Sequence, residues 1–148
     1  MPVSPEEISE LWHTIHRRLF GILREAFQDC DLPPLSMILL RHVSLEPGVT
    51  VNELARRSGT VKSHASRLVE QLVRQGYVEK REDPSDKRLV RLYLTPAAAT
   101  TMAAMEARNR SVWSAVLAEI PPAQQEELVH GLRLLAAALN KRQGEDAL

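Results

Sequence analysis

Apolar residues recur at three- and four-residue steps from the start of the chain: Ile8, Leu11, Trp12, Ile15, Leu19, Ile22, Leu23 and Ala26. That spacing puts them on one broad stripe of a long helix. Pro33-Pro34 stops it, and a second helix follows with Leu35, Ile38, Leu39, His42 and Val43 on its apolar face. Pro47-Gly48 breaks the second helix. Thr50-Val51-Asn52-Glu53 then fits a capping box, in which a hydroxyl caps the third amide and the carboxylate reaches back. It predicts a short helix from Val51 to Arg57 that buries Val51, Leu54 and Ala55. Ser58-Gly59 reads as a tight turn and Thr60 as the N-cap of the next helix. That helix is expected to run to about Gln75, with Gly76 as its stop. Its apolar positions are Val61, Ala65, Leu68, Val69, Leu72 and Val73.

The period then changes from 3.6 to 2. Val78, Lys80 and Glu82 alternate before a polar segment, Asp83 to Arg88, and Val90, Leu92 and Leu94 alternate after it. This is the pattern of a two-stranded hairpin with a charged tip. Thr95-Pro96 restarts a helix in the favoured order, cap then proline. Met102, Met105, Val112, Trp113, Val116, Leu117 and Ile120 form its stripe. Pro121-Pro122 separates it from a last helix bearing Leu128, Val129, Leu132, Leu135, Ala136 and Leu139, with Gln143 to Leu148 read as frayed.

The predicted class is mainly α with a small β-hairpin wing. Helix, turn, helix and charged hairpin form a winged helix-turn-helix lobe over 33–95, set between long helices over 6–30 and 96–142 of one 148-residue domain. The wide stripes on the long helices include both tryptophans, Trp12 and Trp113. A reader of some 60 residues has little surface to cover them. A second copy would cover them, and two-fold symmetry would present two reader helices to a palindromic site.

Composition adds little until it is divided along the chain. Nineteen Lys and Arg balance nineteen Asp and Glu, which excludes a globally basic DNA-coating protein. Between Val51 and Arg91, however, ten basic residues face six acidic ones, and the remainder carries nine against thirteen. A basic middle between acidic ends suits a polyanion-binding module on an acidic scaffold. A chance fluctuation among solvated surface charges is the other reading, and charge alone leaves both open.

The helix after Thr60 offers small or hydrogen-bonding groups on one face: Thr60, Lys62, Ser63, His64, Ser66 and Arg67. An α-helix fits the major groove and reads base edges with such groups. At the hairpin tip, Lys87 and Arg88 are placed to reach a phosphate or the adjacent minor groove. The partner this predicts is double-stranded DNA. The alternative is a winged helix used as a protein-interaction module without base-specific binding, which predicts an apolar, uncharged reader face.

With these residues in view, the sequence resembles the MarR family of transcriptional regulators. Asp83-Pro84-Ser85-Asp86-Lys87-Arg88 followed by Leu94-Thr95-Pro96 is similar to that family's D-P-x-D-x-R…L-T-P signature. Asn52 to Arg57 and Leu68 to Leu72 resemble its two-helix reader. Ala97-Ala98 stands where members often have Ala-Gly. The resemblance implies an obligate dimer with intertwined N- and C-terminal helices, acting as a ligand-responsive repressor. It implies that Arg88 is the wing arginine entering the minor groove and that Asp86 orients it. It also implies a small aromatic or anionic effector between the dimer helices and the reader lobe. His13, His16, Arg17, Met37 and Arg41 are the candidates for that pocket, because a cation beside apolar side chains suits a carboxylate. Surface solvation or interface packing is their plainer role.

Other chemistry has less support. His13-x-x-His16 lacks the further ligands a zinc site needs, so no metal or other cofactor is expected. His42 reads as a core histidine. Cys30 is the one cysteine, and flanking Asp29 and Asp31 disfavour its thiolate, which predicts an inert thiol. No phosphate-binding glycine loop or nucleophile elbow is present, so an enzyme is not expected. Met1 to Glu7 has neither the charge nor the apolar core of a secretory leader, and no apolar run reaches the roughly 20 residues that span a bilayer. The expected location is the cytoplasm.

Overall fold

The computed structural model describes residues 1–29 and 32–146. Its elements are α1 (Pro5–Ala26), α2 (Pro34–Leu45), α3 (Val51–Ser58), α4 (Lys62–Arg74), β1 (Val78–Glu82), β2 (Val90–Leu94), α5 (Pro96–Ala118) and α6 (Pro122–Asp146). They divide into two compact units, Met1–Asn109 and Arg110–Leu148. Every predicted helix and strand is present. Cys30, with its predicted inert thiol, lies outside the described residues.

The first unit is built on Leu39, Leu40 and Val43 of α2, Leu54 of α3, Leu68, Val69 and Leu72 of α4, Val78 of β1, and Leu92 of β2. Val49, between α2 and α3, joins the same core. Met102 and Met105, from the first half of α5, close it. Each fully buried leucine among them contributes about 1.5–3 kcal/mol relative to exposure. The helical stripe of α2 is rotated from the one expected: Leu40 is buried, Ile38 is exposed, and His42 is half-buried outside the core. Val51 is likewise half-buried. Near α1 the first helix ends at Ala26, short of the expected prolines, and its C-cap is Phe27.

The capping box at α3 forms as expected. Thr50 Oγ1 accepts from the Glu53 amide at 3.3 Å while Glu53 accepts from the Thr50 amide at 3.1 Å. At the other end Gly59 adopts φ +68°, the left-handed conformation that turns the chain toward α4. α4 begins without the expected cap. Its N-cap is Val61, with no side-chain hydrogen bond, and Thr60 instead donates its amide to the Ala55 carbonyl at 3.0 Å as part of the α3 terminus. Val61 is therefore exposed and not in the core.

β1 and β2 pair antiparallel in the register Val78 with Leu94, Lys80 with Leu92 and Glu82 with Val90. Of the alternating residues on β1 only Val78 is buried. A further bridge joins Val49 to Leu92, with Gly48 donating to the Leu92 carbonyl at 2.9 Å and Leu92 to the Val49 carbonyl at 3.0 Å. This stitches the hairpin to the α2–α3 connection. Thr95 caps α5 through its hydroxyl, 3.2 Å from the Ala98 amide, and that hydroxyl also donates to Gly76.

In the second unit the turn after α5 is closed by Gln125, whose amide donates to the carbonyls of Leu117 and Ile120 at 2.8 Å each. α6 continues to Asp146, past the expected frayed boundary at Gln143. Along it, Leu128, Val129, Leu132, Leu134, Leu135 and Leu139 are all exposed. α1, in the first unit, also contains no buried residue and exposes Ile8, Leu11, Trp12 and Ile15.

Candidate nucleic-acid interface

α4 packs through Ala65, Leu68, Val69 and Leu72. At 100° per residue the direction opposite this face belongs to Ser63, Arg67, Glu70 and Arg74. Ser63 and Arg67 are exposed there, with Lys62 and His64 exposed on either side. Ser66 and Thr60 are half-buried at the margins. The six residues picked from the sequence thus divide into four solvated groups on the first two turns and two at their edges. Glu70 pairs with Lys80 of β1, which neutralises the one acid on that outer face and ties the reader helix to the wing. Arg74 extends the same face toward the C-terminal end of α4.

The wing tip is ordered by carboxylates. Asp86 accepts from Arg88 three times: from its amide and Nε at 3.0 Å each and from Nη2 at 3.1 Å. The fork geometry fixes the guanidinium plane, yet the Arg88 side chain stays 89% exposed. Arg88 holds the Asp86 carboxyl below the usual carboxylate range, so the pair is charged at neutral pH. Lys87, beside it, is exposed.

Asp83, which the sequence places in the polar turn and in the D-P-x-D-x-R segment without a side-chain role, is the centre of the wing. It is 7% exposed. Its Oδ1 accepts from the Ser85 amide at 2.8 Å, the Ser85 hydroxyl at 2.6 Å and the Asp86 amide at 3.1 Å. Its Oδ2 accepts from Arg91 Nε, and Arg91 Nη1 in turn donates to the Gly48 carbonyl at 2.9 Å. The Ser85 hydrogen bonds, then Arg91, hold the Asp83 carboxyl far below its ordinary range. One carboxylate therefore shapes the turn and, through Arg91, moors it to the α2–α3 connection. An Asp two residues before an accessible amide is the signature of an Asx turn, and Asp83-Pro84-Ser85 carries it. No local signal points to Arg91, whose second partner lies 43 residues away.

Arg81 and Arg91 stand opposite one another in the hairpin register. Like charges so placed repel. Arg81 is offset by Glu79 at 3.3 Å and lies over the Tyr93 ring at 4.4 Å, while Arg91 has Asp83.

A separate cavity of about 460 Å³ lies in the first unit between α1, α2 and the start of α5. Phe20, Phe27, Met37, Met102 and Met105 supply apolar walls, and Arg24, Gln28, Arg41, Glu106 and Asn109 supply its polar groups. Of the five effector candidates, Met37 and Arg41 line it. His13, His16 and Arg17 do not, although His16 stacks on Phe20 with ring centroids 6.0 Å apart. Among the described residues no three His, Cys, Asp or Glu side chains converge as a metal site, and no helix is long and apolar enough to cross a membrane.

Comparison with known proteins gives a consistent picture. No curated protein sequence matches the chain. Residues 31–89 match the sequence model of the MarR family. Among solved structures, Streptococcus pneumoniae FabT, determined in complex with DNA, is 17% identical with a TM-score of 0.84, over 93% of this chain and 99% of that one. Bordetella bronchiseptica BpsR, a protein whose DNA binding is regulated by 6-hydroxynicotinic acid, is 18% identical with a TM-score of 0.77, over 92% and 98%. Wild-type MarR from E. coli is 19% identical, also with a TM-score of 0.77, over 90% and 98%. Residues 31–89 thus carry a sequence pattern similar to that of the MarR family, and the fold shared with these solved structures extends over nearly the whole length of the chain.

Proposed function

We propose that this protein is a dimeric transcriptional regulator, a ligand-responsive repressor that reads a palindromic duplex operator. The observation that carries the reading is the pairing of a solvated polar face on α4, centred on Ser63 and Arg67, with a wing arginine held outward by Asp86. Ser63, Lys62, His64 and Arg67 meet base edges and phosphates in the major groove, with Thr60 and Ser66 at the margin. Arg88 enters the minor groove, and Lys87 holds the backbone. A polar reader face is the opposite of what a protein-interaction module would present. The DNA complex of FabT supports the same use of a similar fold.

Dimerisation accounts for the apolar residues exposed on α1 and α6, because a second copy removes them from water and sets two readers on one duplex. The effector in this reading is a small aromatic acid bound in the cavity beside Arg41 and Arg24, consistent with the regulation of BpsR by such a compound. It acts by binding the DNA-competent and incompetent states unequally.

Selection of bound sequences from a random duplex pool, at two salt concentrations, tests the reading. The expected result is a palindrome with half-sites about one helical turn apart. Recovery of no motif at either salt would sink it.

A further inference from the structure

Val61 occupies the N-cap of α4 in extended backbone conformation, φ −75° and ψ 146°, with its side chain 67% exposed. Its carbonyl accepts from the amides of His64 at 3.1 Å and Ala65 at 3.0 Å, so its backbone is held by the helix it begins. The residue does nothing for stability that its position would reward. Ser, Thr, Asp or Asn would cap the helix through a side-chain oxygen, which valine lacks. The apolar pattern along α4 would place Val61 in the core, yet it faces water.

Its surroundings suggest what it does instead. Lys62, Ser63 and His64, the rest of the first turn, are exposed and polar. Val61 is thus the apolar surface at the end of α4 that enters the groove first. Its β-branched side chain is stiff about χ1 and holds its methyl groups in a defined place. On the floor of the major groove the apolar group available is the C5 methyl of thymine. We propose that Val61 reads the C5 methyl of one thymine in each half-site, so that operator choice includes an apolar contact alongside the polar ones from Ser63 and Arg67. This rests on the reading of α4 as a duplex DNA reader.

The test uses the full chain and the sequence recovered by selection. Each thymine of one half-site is replaced singly by uracil, which removes the methyl group and leaves the base-pair hydrogen bonds intact. At one position the parent protein is expected to bind about three- to fivefold more weakly, the scale of one buried methyl. Val61→Ser should bind the thymine and uracil duplexes alike. Because serine restores a capping oxygen, its thermal midpoint should be no lower than the parent's, which separates lost reading from lost folding. Indifference of the parent to uracil at every position overturns the proposal, as does undiminished discrimination by Val61→Ser. If selection yields no sequence preference at all, the DNA-reader assignment fails first and this inference with it. Sequence-selective binding with indifference to uracil removes Val61 alone.

Discussion

Arg88 and Arg67 are both exposed arginines, but their settings assign them different work. Arg88 is clamped by Asp86 at the wing tip, where the proposed groove contact is with shape and phosphate. Arg88→Ala should weaken binding to selected and random duplexes alike and reduce the slope of log K against log salt by about one unit. Fluorescence anisotropy across a salt series measures both. Arg67 stands exposed on the outer face of α4, where the proposed contact is with base edges. Arg67→Ala should cost about 1–3 kcal/mol on the selected site and relax the preference at one base pair. Equal losses on selected and random DNA would refute its base-reading role.

Asp83 makes the wing sensitive to acid. Its carboxyl titrates below the ordinary value of about 3.9 because Ser85 and Arg91 bind the charged form. The sign follows: a group depressed in the folded state stabilises it above the unfolded pKa, and that stability is lost as pH falls toward the folded value. The hairpin should therefore hold unchanged through neutral and mildly acidic pH and loosen only below about pH 4. Asp83→Asn should remove that acid dependence and leave the wing loose at neutral pH. Hydrogen exchange of the hairpin amides across pH, in parent and variant, would show whether the two differ.

At the scale of elements, the lobe depends on joints between segments more than on the segments themselves. The Gly48–Leu92 and Leu92–Val49 hydrogen bonds make the α2–α3 connection a short third edge of the hairpin. Gly48 sits there at φ +90°, and a Cβ built on it would come within 3.2 Å of Tyr93 Oη. Gly48→Ala should destabilise the protein by about 1–2 kcal/mol, from the left-handed backbone alone. A denaturant midpoint equal to the parent's would contradict this. Helix existence was legible because the periods and the Thr50, Thr95, Gly59 and Gly76 signals are local. The start of α4 departs from the expected one for a related reason. Thr60 looks like a cap from its own side chain, but its amide is already committed to closing α3. Local grammar favours Thr60, and the geometry of the turn from α3 sets the N-cap at Val61 instead. The single-residue bridge at Val49 carries no periodicity and so left no trace in the pattern.

At the scale of the whole molecule, α1 and α6 carry stripes that no described residue of this chain buries fully. In the proposed dimer these faces are shared. Sedimentation should report twice the chain mass, and Leu132→Glu on α6 should shift the equilibrium toward monomer with a parallel loss of DNA affinity. A parent that sediments as a monomer at micromolar concentration would remove the dimer from the proposal. Of the residues chosen for a cation near apolar groups, Arg41 and Met37 reach the cavity, whereas His13, His16 and Arg17 are neighbours on a helix and not on the cavity wall. Arg41→Ala should weaken binding of an aromatic carboxylate about tenfold or more, the scale of a charged hydrogen bond, as read by calorimetry.

The sequence by itself determined the order and kind of the elements and the polar face of α4. Both follow from periodicities and caps that act over a few positions, whereas the Asp86–Arg88 pair was implied by the resemblance to the MarR family and is present at the wing tip. Tertiary structure alone decided that Asp83 is the buried centre of the wing and that Arg91 ties it to Gly48. It also decided that Val61 faces solvent, and which candidates border the cavity. The Arg91–Gly48 tie and the cavity lining depend on the approach of segments far apart in the chain, and throughout the competition for hydrogen-bond partners is settled by packing and not by spacing.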